Sequence, residues 1–544
     1  LRRLALPLAV TAMIVPLLSA QASAEAVDEP PLAEIQELGP GQYATDNGTF
    51  KIAELDVSAG LISRKHGVAM GDGNLARPQS APSTRPELGV FGPGWLAEFA
   101  GGQLNRRLEV QNGAIVITEL DDGTSARYTL KSSVAFPDGG GIQTYETTDG
   151  AKLTETTRWD AAIGAMRTTT SETIAIDQTV QDPDDAPFTN DDGTPISAAD
   201  LAYTYTWARQ SGLSSTDTWR VTSVGNTAFG KSTVAYDGQG RISTIKEPAG
   251  AETPESVLRF TYATTTTATG TSVGDFAGRL KNVTVAYGTE APQTQASYGY
   301  DTSGLLRTVN DPSSGTGLAN YAYDPVGRLT SIQSVTNGGW QMSFPAGAAA
   351  PQVSSTDLDL PVAGGPIEGA TGINDPAATE PPLTDFLPEG IDPPQAYPKK
   401  CSTAANWMWY TKIGCSAWAA HYGWHKPGWK RTASGYKVMG INHDHCTSSA
   451  DRPSGFDFRP ACDSHDYGYG LIGNTYKGYK YYLDRSRKAD VDSRFYITMR
   501  DKVCNGYFIL VRGLCKKIAG AYWLGVRLKG KPKNGADATK RPRP

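Results

Sequence analysis

The sequence predicts a multidomain chain: a β-rich region of repeated hairpins, followed by a small helical domain stapled by disulfides. Three observations lead there. From about residue 40 to 345, Thr, Val and Tyr alternate with polar residues between Gly, Asp-Gly and Asn-Gly punctuation, the pattern of short strands joined by tight turns. From Ala348 to Pro398 the text becomes rich in Pro, Gly, Ala and Asp without periodicity, as in an extended linker. All six cysteines, Cys401, Cys415, Cys446, Cys462, Cys504 and Cys515, lie beyond it. With 544 residues, 39% of them hydrophobic, the chain can bury more than one core.

The first element is LRRLALPLAVTAMIVPLLSAQASA, two arginines and an apolar run ending in Ala22-Ser23-Ala24. Residues 1–24 therefore read as a secretory signal peptide, which predicts a secreted, extracellular protein. No other run of eighteen apolar residues appears, so the expectation is release rather than a membrane span.

The β-rich region, 25–347, contains an internal repeat. AYDGQGRISTI (235–245), GYDTSGLLRTV (299–309) and AYDPVGRLTSI (322–332) share Tyr-Asp-x-x-Gly, then Arg or Leu and a short apolar strand, and DFAGRLKNV (275–283) is a weaker copy. The Gly supplies the turn before each strand. These copies, with FGPGW at 91–95, LNRRLEV and LDDGTSARYTL, resemble the YD-repeat region of the Rhs family. That resemblance implies hairpins spiralling into a shell around a C-terminal cargo; a plain solenoid or sandwich is the other reading of the same pattern.

After the linker, 348–398, come a domain at 399–529 and a basic tail at 530–544. From Lys399 onward there are 27 Lys and Arg against 10 Asp and no Glu, whereas the preceding residues hold 24 basic against 46 acidic. A basic domain behind an acidic one suggests a polyanionic partner, nucleic acid or an anionic membrane. An even number of cysteines in an exported chain predicts three disulfides, with pairing left open by spacing alone. A thiolate metal cluster is disfavoured by the lack of any C-x-x-C.

Chemistry concentrates in NHDHCTSSADRPSGFDFRPACDSHDYGY, 442–469. Cys462, His465, Asp466 and Tyr469 stand at i, i+3, i+4 and i+7, one face of a helix. KADVDSRFYITMRDKVC (488–504) is a second helix candidate, with Val491, Phe495, Met499 and Val503 as its core stripe and Asp492 beside it, within reach of a histidine. His443 and His445 form an H-x-H that, with His465, could alternatively hold zinc.

The ordered pattern C-x-x-H-D-x-x-Y, with DHC upstream and VDSRFY downstream, resembles the small secreted phospholipases A2 of bacteria and fungi over roughly 400 to 528. The resemblance implies an all-α, disulfide-bonded catalytic domain that hydrolyses the sn-2 ester of glycerophospholipids with calcium. It implies His465 as general base, Asp492 as the carboxylate that orients it, and Asp444, Asp466 and the backbone carbonyl of His445 as Ca2+ ligands. It also implies disulfides Cys446–Cys462 and Cys504–Cys515, leaving Cys401 with Cys415.

The expected partner is then a phospholipid membrane or micelle surface, anionic in character, and no nucleic-acid partner is expected. Trp407, Trp409, Trp418, Trp424, Trp429 and the run GNTYKGYKYYLDRSRK (473–488) could meet such an interface, though ordinary packing accounts for them equally well. A toxin role, with an immunity protein or a carbohydrate as further partner, extends this expectation. The alternative is a non-catalytic surface protein whose repeats bind carbohydrate or a partner and whose basic domain only docks on membranes.

Overall fold

The computed structural model describes residues 30–356, apart from 33–34, 46, 71–74, 176–187, 191, 193, 214–216, 251–253 and 314, and then 404–409, 427–441, 444–447, 449–472 and 488–530. The expected signal peptide, the linker beyond residue 356, the basic tail beyond Gly530, Cys401, Cys415, Trp418, Trp424, His443 and the run 473–487 lie outside the described residues.

A first sheet holds β1 (Ile35–Leu38), β2 (Gly41–Ala44), β3 (Thr49–Val57), β4 (Ile62–Ala69), β5 (Arg77–Pro78) and β6 (Trp95–Glu98). Strands β7 (Arg106–Gln111) to β24 (Gln352–Ser355) follow, joined mostly by hairpins, and close on themselves as a barrel. The last strand runs on into residues read from sequence as linker. One short helix, α1 (Ala198–Leu201), interrupts the series.

The repeated turns have one physical design. In the unit at 300–307, the Asp301 carboxylate accepts from the backbone N–H of Ser303 and Leu305 at 2.9 and 3.0 Å and from Arg307 Nε at 2.7 Å. Asp237 and Asp324 do the same for Gln239, Val326, Arg241 and Arg328. Gly240, Gly304 and Gly327 have φ of +75°, +74° and +86°, where a side chain would be strained. The tyrosines tie neighbours together: the hydroxyls of Tyr262, Tyr300 and Tyr323 donate to the carbonyls of Ile242, Leu280 and Leu306 at 2.7–2.8 Å.

The C-terminal domain is small and mainly helical. Helix α2 (Ala404–Met408) precedes a hairpin of β25 (Pro427–Arg431) and β26 (Lys437–Ile441), then α3 (Arg459–Leu471), α4 (Lys488–Ile497) and α5 (Ile509–Lys529). The hairpin corrects the all-α expectation: Trp429 and Val438 to Ile441 are buried, an apolar run that packs against α3 as a strand rather than as a helix. The expected helix over 488–504 is α-helical only to Ile497, then continues as a π segment, Thr498–Val503, and a 3-10 turn, Cys504–Gly506. The stripe of Val491, Phe495, Met499 and Val503 is nevertheless wholly buried.

Barrel, first sheet and helical domain share one contiguous core. Their seam realises the charge asymmetry of the sequence as direct contacts. Arg500 forks onto Glu98, Lys516 meets Asp121 and Asp122 at 2.8 Å each, Arg527 meets Glu247, and Lys502 approaches Glu37. Lys65 with Asp501, at 3.1 Å, is a pair of opposite sense. Trp407, Trp409 and Trp429 are core residues, so these three indoles are not surface anchors.

Candidate active site

Helix α3 is buried along its whole length, polar residues included. It starts after Phe458 with Pro460 in its first turn, a position where the missing N–H costs nothing. Arg459 grips Asp457 with Nε at 2.9 Å and Nη2 at 2.8 Å, and the Cys446–Cys462 disulfide, Cα atoms 5.0 Å apart, clamps the preceding loop onto the helix. Gly468 lets neighbours approach: a Cβ there would stand 2.6 Å from Met408 Sδ and 2.7 Å from Val491. A second disulfide, Cys504–Cys515, joins the end of the π segment to α5.

Across α3 and α4, His465 Nε2 lies 3.0 Å from Asp492 Oδ1. Tyr469 donates its hydroxyl to the same oxygen at 2.9 Å, and the Lys488 ammonium donates to Asp492 Oδ2. Burial alone would raise the Asp492 pKa. The Lys488 charge and the contact with His465 outweigh it and draw the value down to about 2, so Asp492 is an anion at neutral pH. The imidazole is flanked by the rings of Tyr469 and Phe495, with centroids 4.1 and 4.6 Å away. With the proton of His465 on Nε2, the lone pair sits on Nδ1, the arrangement of a general base.

The residues expected to hold calcium flank the first disulfide. Asp466 follows His465 and is buried, whereas Asp444 is exposed and accepts from Thr447 Oγ1 at 2.8 Å. His445 has a φ of +49°, and its ring is bound 2.6 Å from Asp463 Oδ1, which raises its pKa. Among the described residues, no three His, Cys, Asp or Glu side chains gather closely enough to hold a metal. Two carboxylates and a carbonyl on the two sides of one disulfide are hard oxygen donors, and this donor chemistry fits calcium. For the zinc alternative, the two described rings turn to different carboxylates, His445 to Asp463 and His465 to Asp492.

Sequence reasoning missed Lys488, which reads as one more charge in a basic run, although its i, i+4 spacing to Asp492 was a usable signal. It also missed Asp463, fully buried and shared between His445 and Lys430 of β25 at 3.3 Å.

Residues 429–530 match the family model for prokaryotic phospholipase A2. A secretory phospholipase A2 of Arthroderma benhamiae is 45% identical over 51 residues, 9% of this chain and 34% of that protein. One from Beauveria bassiana is 32% identical over 87 residues, 16% of this chain and 42% of that protein. The chain thus spans about a third to two fifths of the length of these relatives. The small disulfide-bonded helical domain is phospholipase A2-like.

Proposed function

We propose that the chain is a secreted, calcium-dependent phospholipase A2 that hydrolyses the sn-2 ester of glycerophospholipids to lysophospholipid and fatty acid. The observation that carries this reading is the 3.0 Å contact of His465 with Asp492 inside the matched segment. A water molecule positioned by His465 gives up its proton to Nδ1 as its oxygen attacks the ester carbon, and Asp492 on Nε2 holds the tautomer and stabilises the imidazolium. That proton then passes to the leaving alkoxide, restoring the base. Tyr469 and Lys488 keep Asp492 aimed at the ring, and Phe495 screens the imidazole from bulk water. Asp444, Asp466 and the His445 carbonyl are the residues that would hold calcium, which supplies positive charge opposite the developing oxyanion and the lipid phosphate.

The β-region is proposed as the carrier. Its Tyr-Asp turn units resemble those of Rhs shells, and its acidic residues meet the basic helical domain pair by pair. This supports a toxin held docked until delivery to an anionic phospholipid surface of a competing cell, with an immunity protein protecting the producer. The leader-like N-terminus and the secretory names of the relatives support export.

The test is positional: vesicles of phosphatidylcholine and phosphatidylglycerol labelled at sn-1 or sn-2, with calcium or with a chelator. Label released from sn-2 alone, and only with calcium, is the expected result. Release from sn-1, or release that survives calcium chelation and stops with a zinc chelator, would replace the reading.

A further inference from the structure

Asp492 is held from three sides, by His465 and Tyr469 on Oδ1 and by Lys488 on Oδ2. Two of those three residues touch the end of α5. Lys488 Nζ also donates to the carbonyls of Val526 and Arg527, at 3.0 and 3.1 Å. These belong to the last turn of a helix, where carbonyls carry partial negative charge; the Val526 carbonyl also accepts the Gly530 N–H at 2.7 Å, so Lys488 shares it with the helix cap. Gly530 follows directly, and a Cβ there would stand 2.3 Å from the Tyr469 hydroxyl. The end of α5 therefore abuts both the ammonium and the phenol that hold Asp492.

That same turn is fastened to the barrel. Arg527 donates to both oxygens of Glu247, at 2.7 Å to Oε1, and Glu247, at the end of strand Ile242–Glu247, is only 1% exposed and also accepts from Ser256 Oγ. Lys529 Nζ reaches Asn190 Oδ1 at 3.1 Å. Gly525 lies so close that a Cβ would come within 3.2 Å of Phe188 and 3.4 Å of Phe229.

We propose that Lys488 is a positioning residue that makes the setting of the Asp492–His465 pair depend on the docking of α5 against the barrel. Glu247 holds Arg527, the carbonyls of that turn hold Lys488, and Lys488 holds Asp492. A lysine is a point charge on a flexible stem, so without its two carbonyl acceptors it no longer fixes the direction of the carboxylate. The barrel is then part of the support of the site rather than a wrapper. This inference rests on the reading of His465 as base only for its effect on rate; the mechanical coupling stands apart from it.

The experiment uses the full chain and begins with deuterium exchange at the amides of residues 488–492. Glu247→Gln and Lys488→Met should each raise exchange there about threefold, whereas Lys516→Met, which loses a different barrel contact, should not. In sn-2 ester hydrolysis, Lys488→Met should lower kcat about tenfold with KM within about twofold, and Lys488→Arg should recover part of the loss. The double variant Glu247→Gln/Lys488→Met should be no slower than the slower single variant. Unchanged exchange at 488–492 in Glu247→Gln, or losses that simply add in the double variant, would overturn the coupling. A wild-type chain that hydrolyses no ester, yet shows the expected exchange pattern, would strike the proposed function and leave the coupling in place.

Discussion

Arg500 of the helical domain forks onto Glu98 of the first sheet, with Nη1 3.1 Å from Oε2 and Nη2 on Oε1, both side chains sealed from solvent. Lys65 also contacts Glu98, at 3.0 Å. Desolvating such charges offsets much of their attraction, so the pair adds little net stability. Losing Arg500, however, leaves buried Glu98 with the Lys65 ammonium in place of two cations, a cost below the roughly 3–5 kcal/mol of a fully orphaned buried charge. Arg500→Met is therefore expected to lower the denaturant midpoint, and adding Glu98→Gln should recover part of the loss. A double-mutant cycle on unfolding checks this.

The tyrosine ladder is expected to matter unit by unit. Tyr300, buried, donates to the Leu280 carbonyl, so Tyr300→Phe strands one acceptor and should cost about 1 kcal/mol. Asp301→Ala removes three bonds that shape one turn and should cost more, about 2 kcal/mol. Thermal unfolding of the two variants gives the order.

The Asp492 pKa gives a pH window. Its folded value, drawn down to about 2, lies below the unfolded value of about 3.9. The stability it contributes is fully present above pH ~4 and is lost as pH falls from ~4 to ~2, in total about 3 kcal/mol. Lys488→Met should bring that loss to higher pH, and Asp492→Asn should flatten this part of the acid limb. Unfolding midpoints between pH 2 and 6 measure it.

The Cys446–Cys462 bridge closes a loop of sequence separation 16, a constraint of about 3 kcal/mol on the unfolded chain. Replacing both cysteines by Ser should cost that much and loosen the loop carrying Asp444 and His445. The expected readout is weaker calcium-dependent protection of residues 444–447 from exchange.

What is legible in the sequence is what is local. The one-face spacing of Cys462, His465, Asp466 and Tyr469 needs only helical geometry, and the Tyr-Asp-x-x-Gly turns need only the αL preference of glycine and an acceptor for two N–H groups. Closure of the sheet is not local, since no single hairpin between β7 and β24 encodes it. The seam is half legible: the opposed charge balances announce attraction, but not that Arg500 meets Glu98 or that Arg527 meets Glu247. The i, i+4 spacing of Lys488 to Asp492 is legible, but its tie to α5 is not, because those acceptors lie 38 and 39 residues away. The hairpin β25–β26 was missed because its apolar residues sit beside tryptophans that read equally well as an interface.

The central claim is hydrolysis by the His465–Asp492 pair, and the measurement that tests it most directly is fatty-acid release from sn-2-labelled phosphatidylglycerol vesicles by the wild-type chain and by His465→Ala. Calcium-dependent release by the wild type and a fall of about 100-fold or more in the variant are expected, with vesicle binding retained. Equal release by both proteins would contradict it, as would vesicle binding by the wild type with no release at all.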